Sequence, residues 1–496
     1  EQRSATAALA WYRDGRLQNV STTQWTTNGA ESKNQEAALA VSGSGEGESE
    51  LRCFLLDSTE TLQPLRSAVV LDRDGIASER QTQKEFYVSP EGDDRAEGTE
   101  NAPWKTLRHA AAAAKAGDTV ILEDGTYKES QPTFFGSSGR EGAPITIKAR
   151  NTGQAVIVYG EGLKLVSKFN ILQNQNYICV EGLSFRQEGT TQADDPSPTG
   201  DIFLMCKGNG CVIANNQFSG AYEEGIKLHL AERCVIENNL VEDMQHEGID
   251  LVNCVGIKIQ GNEVAETGRV GIMVRGGSRD CIVRNNLIHN TEVTQVTAAI
   301  TVGGVTDRNS TYDTGADFGY EIYNSRFYNN IAYTPSGKIM SGLMAMGAKD
   351  CAMYNNTMIG GSVAGVRFIE RNAETTDWPW TPSNRELQLC NNIFVGCAAA
   401  YRMDAEPIGL QSDANLFFNC GAPPVEENSV YRDPQLADPA HYDFRLTEGS
   451  PAVGAGDRVP SEFIGFYGDI LSAPAVDYEG NGRIEPWHIG ACGMMQ

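Results

Sequence analysis

The sequence predicts an all-β solenoid, a parallel β-helix of about ten coils, preceded by a small β module. Three observations predict it. Between Cys211 and Asn415 the chain repeats about every twenty-three residues. Each repeat closes on an asparagine pair, as in CVIANN (211–216), CVIENN (234–239), CIVRNN (281–286) and CAMYNN (351–356). Each regular coil also carries a glycine followed by alternating residues, as in EEGIKLH (223–229), HEGIDLV (246–252) and RVGIMVR (269–275). A unit this short cannot bury a face by itself, so it must stack on its neighbours.

The elements follow in chain order. Residues 1–84 alternate apolar and polar residues in AALAWYRDGRLQNVS and ELRCFLLDSTETLQPL, which reads as a few antiparallel strands with a structural role. Residues 85–496 form the β-helix. It opens with a strand at Phe86, an Asp/Gly-rich loop and an Ala-rich helix from about Lys105 to Lys115. That helix is placed to cap the open end of the core, because an uncovered end is an unpaired sheet edge. In the repeats, the second asparagines (Asn216, Asn239, Asn262, Asn286, Asn330, Asn356, Asn392, Asn415) are expected to stack. Cys211, Cys234, Cys281 and Cys351 share one repeat position and are expected to be stacked free thiols rather than disulfides. No CxxC or HxxxH spacing points to zinc.

Composition narrows the function. The formal net charge is −25. Such a surface repels nucleic acid and anionic membrane, and no apolar run is long enough to span a bilayer. An anionic sugar polymer stays open as a partner if a cation or a local basic cluster neutralises it. A monomer is expected.

The repeat turns the sequence into a map of one face. Residues one coil apart lie on neighbouring strands roughly 4.8 Å apart. Ile226, Leu228, Ile249, Leu251, Ile272 and Val274 then point inward. One outward column holds Lys227, Asp250, Met273, Thr301, Met344 and Arg367; its neighbour holds His229, Val252 and Arg275. Three adjacent coils gather Glu223, Glu224, Lys227, His229, His246, Glu247, Asp250, Arg269 and Arg275. A solvated face of paired ions would explain Lys227 beside Asp250. It does not explain Glu224 stacked over Glu247, which repel unless a proton or metal intervenes. Insertions at 189–200, 303–321 and 372–384 flank this strand and could wall a polymer groove. Trp378 and Trp380 are candidate sugar platforms, although they could equally pin their own loop. His229, His246, Arg269 and Arg367 are candidate substrate contacts.

The segments YVSPEGDD (87–94), AGDTVILEDGTY (116–127), GAPITIKA (142–149), DPQL (433–436), DFRLTEGSPAVGAG (443–456) and DYEGNGRIEPWHIGA (477–491) resemble bacterial pectate-lyase-like proteins, over roughly residues 85–490. The resemblance implies a right-handed β-helix and a secreted or cell-surface, bacterial carbohydrate-active enzyme. The site pattern is most similar to family 9 polysaccharide lyases, which hold Ca²⁺ with an Asp-Asp-Gly-aromatic-Asp stretch plus an acid one coil earlier. HEGID (246–250) resembles that stretch, with Glu224 one coil before. The resemblance therefore implies Ca²⁺ on Glu224, Glu247 and Asp250, and β-elimination at a uronate with Arg275 or Lys227 as the base. The sequence departs from the pattern: His246 and Glu247 stand for two aspartates, and Met273 stands for the lysine. A glycoside hydrolase, retaining or inverting, using Glu224, Glu247 and Asp250 without metal is the alternative. A uronate epimerase and a non-catalytic glycan-binding β-helix are further alternatives; the first lacks the Pro-His expected after Asp250.

Overall fold

The computed structural model describes residues 84–160, 167–188, 201–290, 296–306, 319–370, 383–457, 476–483 and 485–494, together with six further strands. Four of these strands, Gln2–Arg13, Arg16–Asn28, Ser49–Leu56 and Pro64–Leu71, pair antiparallel in a sheet of their own. From Glu85 to Phe418 the described chain winds into a β-helix. Its walls are three long parallel sheets of 11, 10 and 12 strands among the described residues, each strand pairing with its equivalents in the coils before and after. The ten-stranded sheet carries the glycine signature.

The asparagine pair has two separate jobs. The first member turns the chain: Asn215, Asn238, Asn285, Asn329, Asn355 and Asn391 all take left-handed φ between 52° and 58°. Where the repeat lacks it, Gly261 stands in with φ 65°, because glycine and asparagine reach that region at least cost. The second member is buried and builds the ladder. Asn216 donates its backbone N–H to Asn239 Oδ1 at 2.9 Å, and Asn239 donates likewise to Asn262 Oδ1 at 3.0 Å. The series continues through Asn286, Asn330, Asn356 and Asn392 to Asn415.

The glycines have a packing cause. A Cβ on Gly248 would sit 2.5 Å from Val264 Cγ1 and 2.7 Å from the Gly271 carbonyl. At Gly225 the same atom would meet Val241 Cγ1 at 2.5 Å. The sheet edge here is pressed against the preceding sheet, and a side chain would hold it off.

The cysteines among the described residues are free thiols. Cys234 Sγ accepts the Cys211 N–H at 3.3 Å, and Cys281 and Cys351 donate to carbonyls two residues back at 3.3 and 3.2 Å. Cys234 thus accepts an N–H from the neighbouring coil as the ladder asparagines do. Cys206 joins Cys211 and Cys234, the three sulfurs lying within 4.8 Å of one another in the core.

The cap helix is Leu107–Ala113, with Leu107, Ala110 and Ala111 buried. Thr106 caps it, accepting the His109 N–H at 3.1 Å. Asp94 in turn accepts both Lys105 and Thr106 N–H at 2.8 and 2.9 Å, which ties the Asp/Gly loop to the helix start. Among the described residues no helix is long and apolar enough to cross a membrane.

Candidate active site

Register brings the charged residues together. Lys227 pairs with Asp250, Asp250 with Met273, Met273 with Thr301, Thr301 with Met344 and Met344 with Arg367. His229 pairs with Val252 and Val252 with Arg275. The strand Glu247–Val252 at the centre of the site is buried along its whole length, on both faces. A solvated ion-pair face is therefore not what this surface is.

Asp250, fully buried, is the hub. Arg275 grips it through two bonds, Nε to Oδ1 at 3.1 Å and Nη2 to Oδ2 at 2.9 Å. Lys227 Nζ lies 3.0 Å from Oδ2 and also contacts Glu224 Oε1. The Arg275 Nη1 donates to the Val305 carbonyl at 2.8 Å. Arg269, more than half exposed, lies 3.5 Å from Glu247 Oε1. Glu224 Oε2 and Glu247 Oε1 are buried and have no hydrogen-bond partner.

These contacts set the charge states. Burial alone would raise Asp250, but Arg275 and Lys227 outweigh it and hold the carboxyl down at about 2. Burial lifts Glu224 to about 7 against the pull of Lys227, with Asp250 adding to the lift. Glu247 is raised by burial and by Asp250. Burial works to lower Lys227, yet Asp250 and Glu224 keep it above its ordinary value. His229 is lowered by burial, by Lys207 and by Lys227, and its Nε2 is buried without a partner. His246, whose ring lies tilted against Tyr222 at 5.3 Å, is lowered by burial and Arg269.

Several expectations change. Lys227 and Arg275 are both engaged by Asp250 and held as cations, so neither is set up as a proton-abstracting base. The Ca²⁺ ligand set does not fit these residues. Both Asp250 oxygens already accept from Arg275 and one lies beside Lys227, so a divalent cation there would face two fixed positive charges. Arg367 stands four strand steps from Asp250 and is tied to Asp404 at 2.6 Å, outside the cluster. Trp378 and Trp380 lie outside the described residues, as does most of each flanking insertion. The Val305 carbonyl, Thr306 and Glu321 border the site without having been picked out. Glu321 stands 45 residues from one hydrogen-bond partner, Gly276, with no repeat to align them.

Comparison with known proteins agrees with the architecture. A family model described as a Pel9A-like, right-handed β-helix region matches residues 86–250. The crystal structure of pectate lyase Pel9A aligns over 84% of this chain and 97% of its own, with a TM-score of 0.55 at 15% identity. Over residues 86–250 the chain is thus similar to the Pel9A-like right-handed β-helix region, and over its length it shares that fold. Pectate lyase PEL9 of Emericella nidulans is 39% identical over 79 residues, 16% of this chain and 19% of that protein. The uncharacterized protein YwoF of Bacillus subtilis is 30% identical over 138 residues, 27% of this chain and 28% of that one. The matched stretches thus span less than a third of these curated relatives.

Proposed function

We propose that this protein is an extracellular enzyme that cleaves glycosidic bonds of a polysaccharide, and that it does so by hydrolysis. One observation carries the reading: Glu224 and Glu247, on successive coils, are buried carboxyls, each with an oxygen that makes no hydrogen bond, and Glu224 is poised near 7. Burial raises both carboxyls, and a carboxyl held near 7 keeps its proton at working pH, as a general acid must. Glu224 is the proton donor to the leaving oxygen. Glu247 is the second carboxyl, acting on the anomeric carbon directly or through water. Asp250 is not a reacting group; it anchors Lys227 and Arg275. Strands about 4.8 Å apart suit the short carboxyl spacing of a retaining enzyme, about 5–5.5 Å.

A second reading is metal-free β-elimination at a uronate. The match to pectate lyase PEL9 favours it, and so does His229, kept neutral by burial with Nε2 unpartnered. There His229 would take the proton and Arg269 would neutralise the uronate.

The deciding experiment is a polysaccharide panel, acidic and neutral, with and without chelator. New reducing ends without ultraviolet absorbance of unsaturated uronate support hydrolysis. Unsaturated products move the assignment to elimination. Loss of activity on chelation would overturn both metal-free schemes. No cleavage of any glycan would sink the enzyme reading.

A further inference from the structure

We infer that Glu321 is a positioning residue for Arg275, an inference that rests on the active-site reading of the Asp250 cluster. Glu321 is fully buried. Its Oε2 accepts the Gly276 N–H at 2.8 Å and the Thr306 Oγ–H at 2.7 Å, and its Oε1 accepts the Thr306 N–H at 3.2 Å. Its backbone carbonyl accepts the Gly277 N–H at 2.9 Å.

These bonds join the two things that hold Arg275. Gly276 and Gly277 are the residues immediately after Arg275, in left-handed backbone with φ 70° and 85°. A Cβ on Gly276 would sit 2.8 Å from Val252 Cγ1, so the turn is closed tightly over the preceding coil. Thr306 immediately follows Val305, whose carbonyl takes Arg275 Nη1. One carboxylate therefore fixes the root of the arginine and the far acceptor for its guanidinium. Between them the guanidinium has one direction left, onto Asp250. The carboxylate type matters. All three donors point at it, and only an acceptor on both oxygens satisfies them. Thr306 follows the strand Val296–Gly303 and Glu321 directly precedes the strand Ile322–Tyr323, so these bonds tie the ends of two strands together.

Glu321→Gln puts an amide N–H among these donors and is expected to release Arg275 from Val305. Misplacing a catalytic constellation by about an ångström can cost on the order of 100-fold in turnover. The loss should fall on kcat, with KM little changed. Thr306→Val removes one donor and should give a smaller loss in the same direction, which keeps the test open if Glu321→Gln folds poorly. The decisive arm is coupling. In an Arg275→Gln background, Glu321→Gln should cost nothing further, whereas a merely structural role would add its full loss there. Crystal structures of Glu321→Gln and Thr306→Val, compared with the parent, are read separately from activity. Arg275 still on both Asp250 and Val305 in these variants overturns the inference whatever the turnover. Displacement of Arg275 in a protein that cleaves no glycan would sustain the positioning role and sink the enzyme reading instead.

Discussion

Glu224 and Asp250 sit on successive coils and are shifted in opposite directions. Asp250 has two cations on it and stays ionised; Glu224 shares one of them and loses more to burial than it gains. Activity should therefore fall as pH rises through about 7, where Glu224 gives up its proton. Glu224→Gln should lower turnover on the order of 10²–10⁴-fold and flatten that alkaline limb. A limb unchanged in the variant assigns the acid to another residue. Stability follows the same signs. Between about 4.5 and 7 the folded chain holds a Glu224 proton that the unfolded chain has released, so stability falls as pH rises through that window. Asp250 contributes fully above its ordinary 3.8, and its contribution is lost as pH falls toward 2. Chemical denaturation at a series of pH values, with Glu224→Gln as the control, checks the first slope. Asp250→Asn should be severe: it leaves Lys227 and Arg275 without their shared anion, at a cost of about 3–5 kcal/mol, read as a lowered denaturation midpoint.

At the scale of the element, the repeat is held by hydrogen bonds as much as by apolar stacking. Each ladder asparagine satisfies a backbone N–H that the turn would otherwise bury unpaired. Asn239 accepts from Asn216 twice and donates to the Ile213 carbonyl at 2.9 Å. Asn239→Ala should cost about 3 kcal/mol or more, because each buried group left without a partner costs about 1–3 kcal/mol. Its neighbour Asn238 only turns the chain, with φ 55°. Asn238→Gly should stay within about 1 kcal/mol of the parent, as Gly261 already demonstrates in the next coil. Equilibrium unfolding of the two variants side by side separates the two roles. Equal losses would mean that the ladder is not what stabilises the coil.

At the scale of the molecule, the turning asparagines acquire a use that no single coil reveals. Described residues of the C-terminal segment between Asp457 and Gly490 lie against the helix and are held by them. Asn285 donates to the Tyr478 carbonyl at 2.9 Å, Asn329 to Val476 at 2.8 Å, Asn355 to His488 at 3.0 Å and Asn391 to Asp457 at 2.7 Å. The closing segment thus stitches successive coils. The other whole-molecule property is charge. With −25 on the chain, an anionic glycan must approach against the field, and added salt should raise its association rate by screening. A neutral glycan should be indifferent to salt. Stopped-flow binding at two ionic strengths distinguishes them, and a rate for an acidic polymer that falls with salt would mean that the local cations dominate its approach.

The period of the chain alone determined the β-helix, the stacking of the asparagines and the register that puts Lys227 beside Asp250. A strand alternates by two, and a repeat of constant length fixes which residues are neighbours; both are local rules that a linear string carries intact. The acidic composition disfavoured nucleic acid for the same reason, since charge adds up without geometry. What the tertiary structure decided is the state of the site. Whether Lys227 is a base or a clamp depends on distances of an ångström and on burial, and neither is a property of residue spacing. Whether Asp250 is free to hold a metal depends on where the Arg275 guanidinium points. That is set by Glu321 and the Val305 carbonyl, which reach the site across an insertion of no fixed length. Repeats align what is periodic; the residues that tune the chemistry arrive from outside the period, and only the folded chain brings them in.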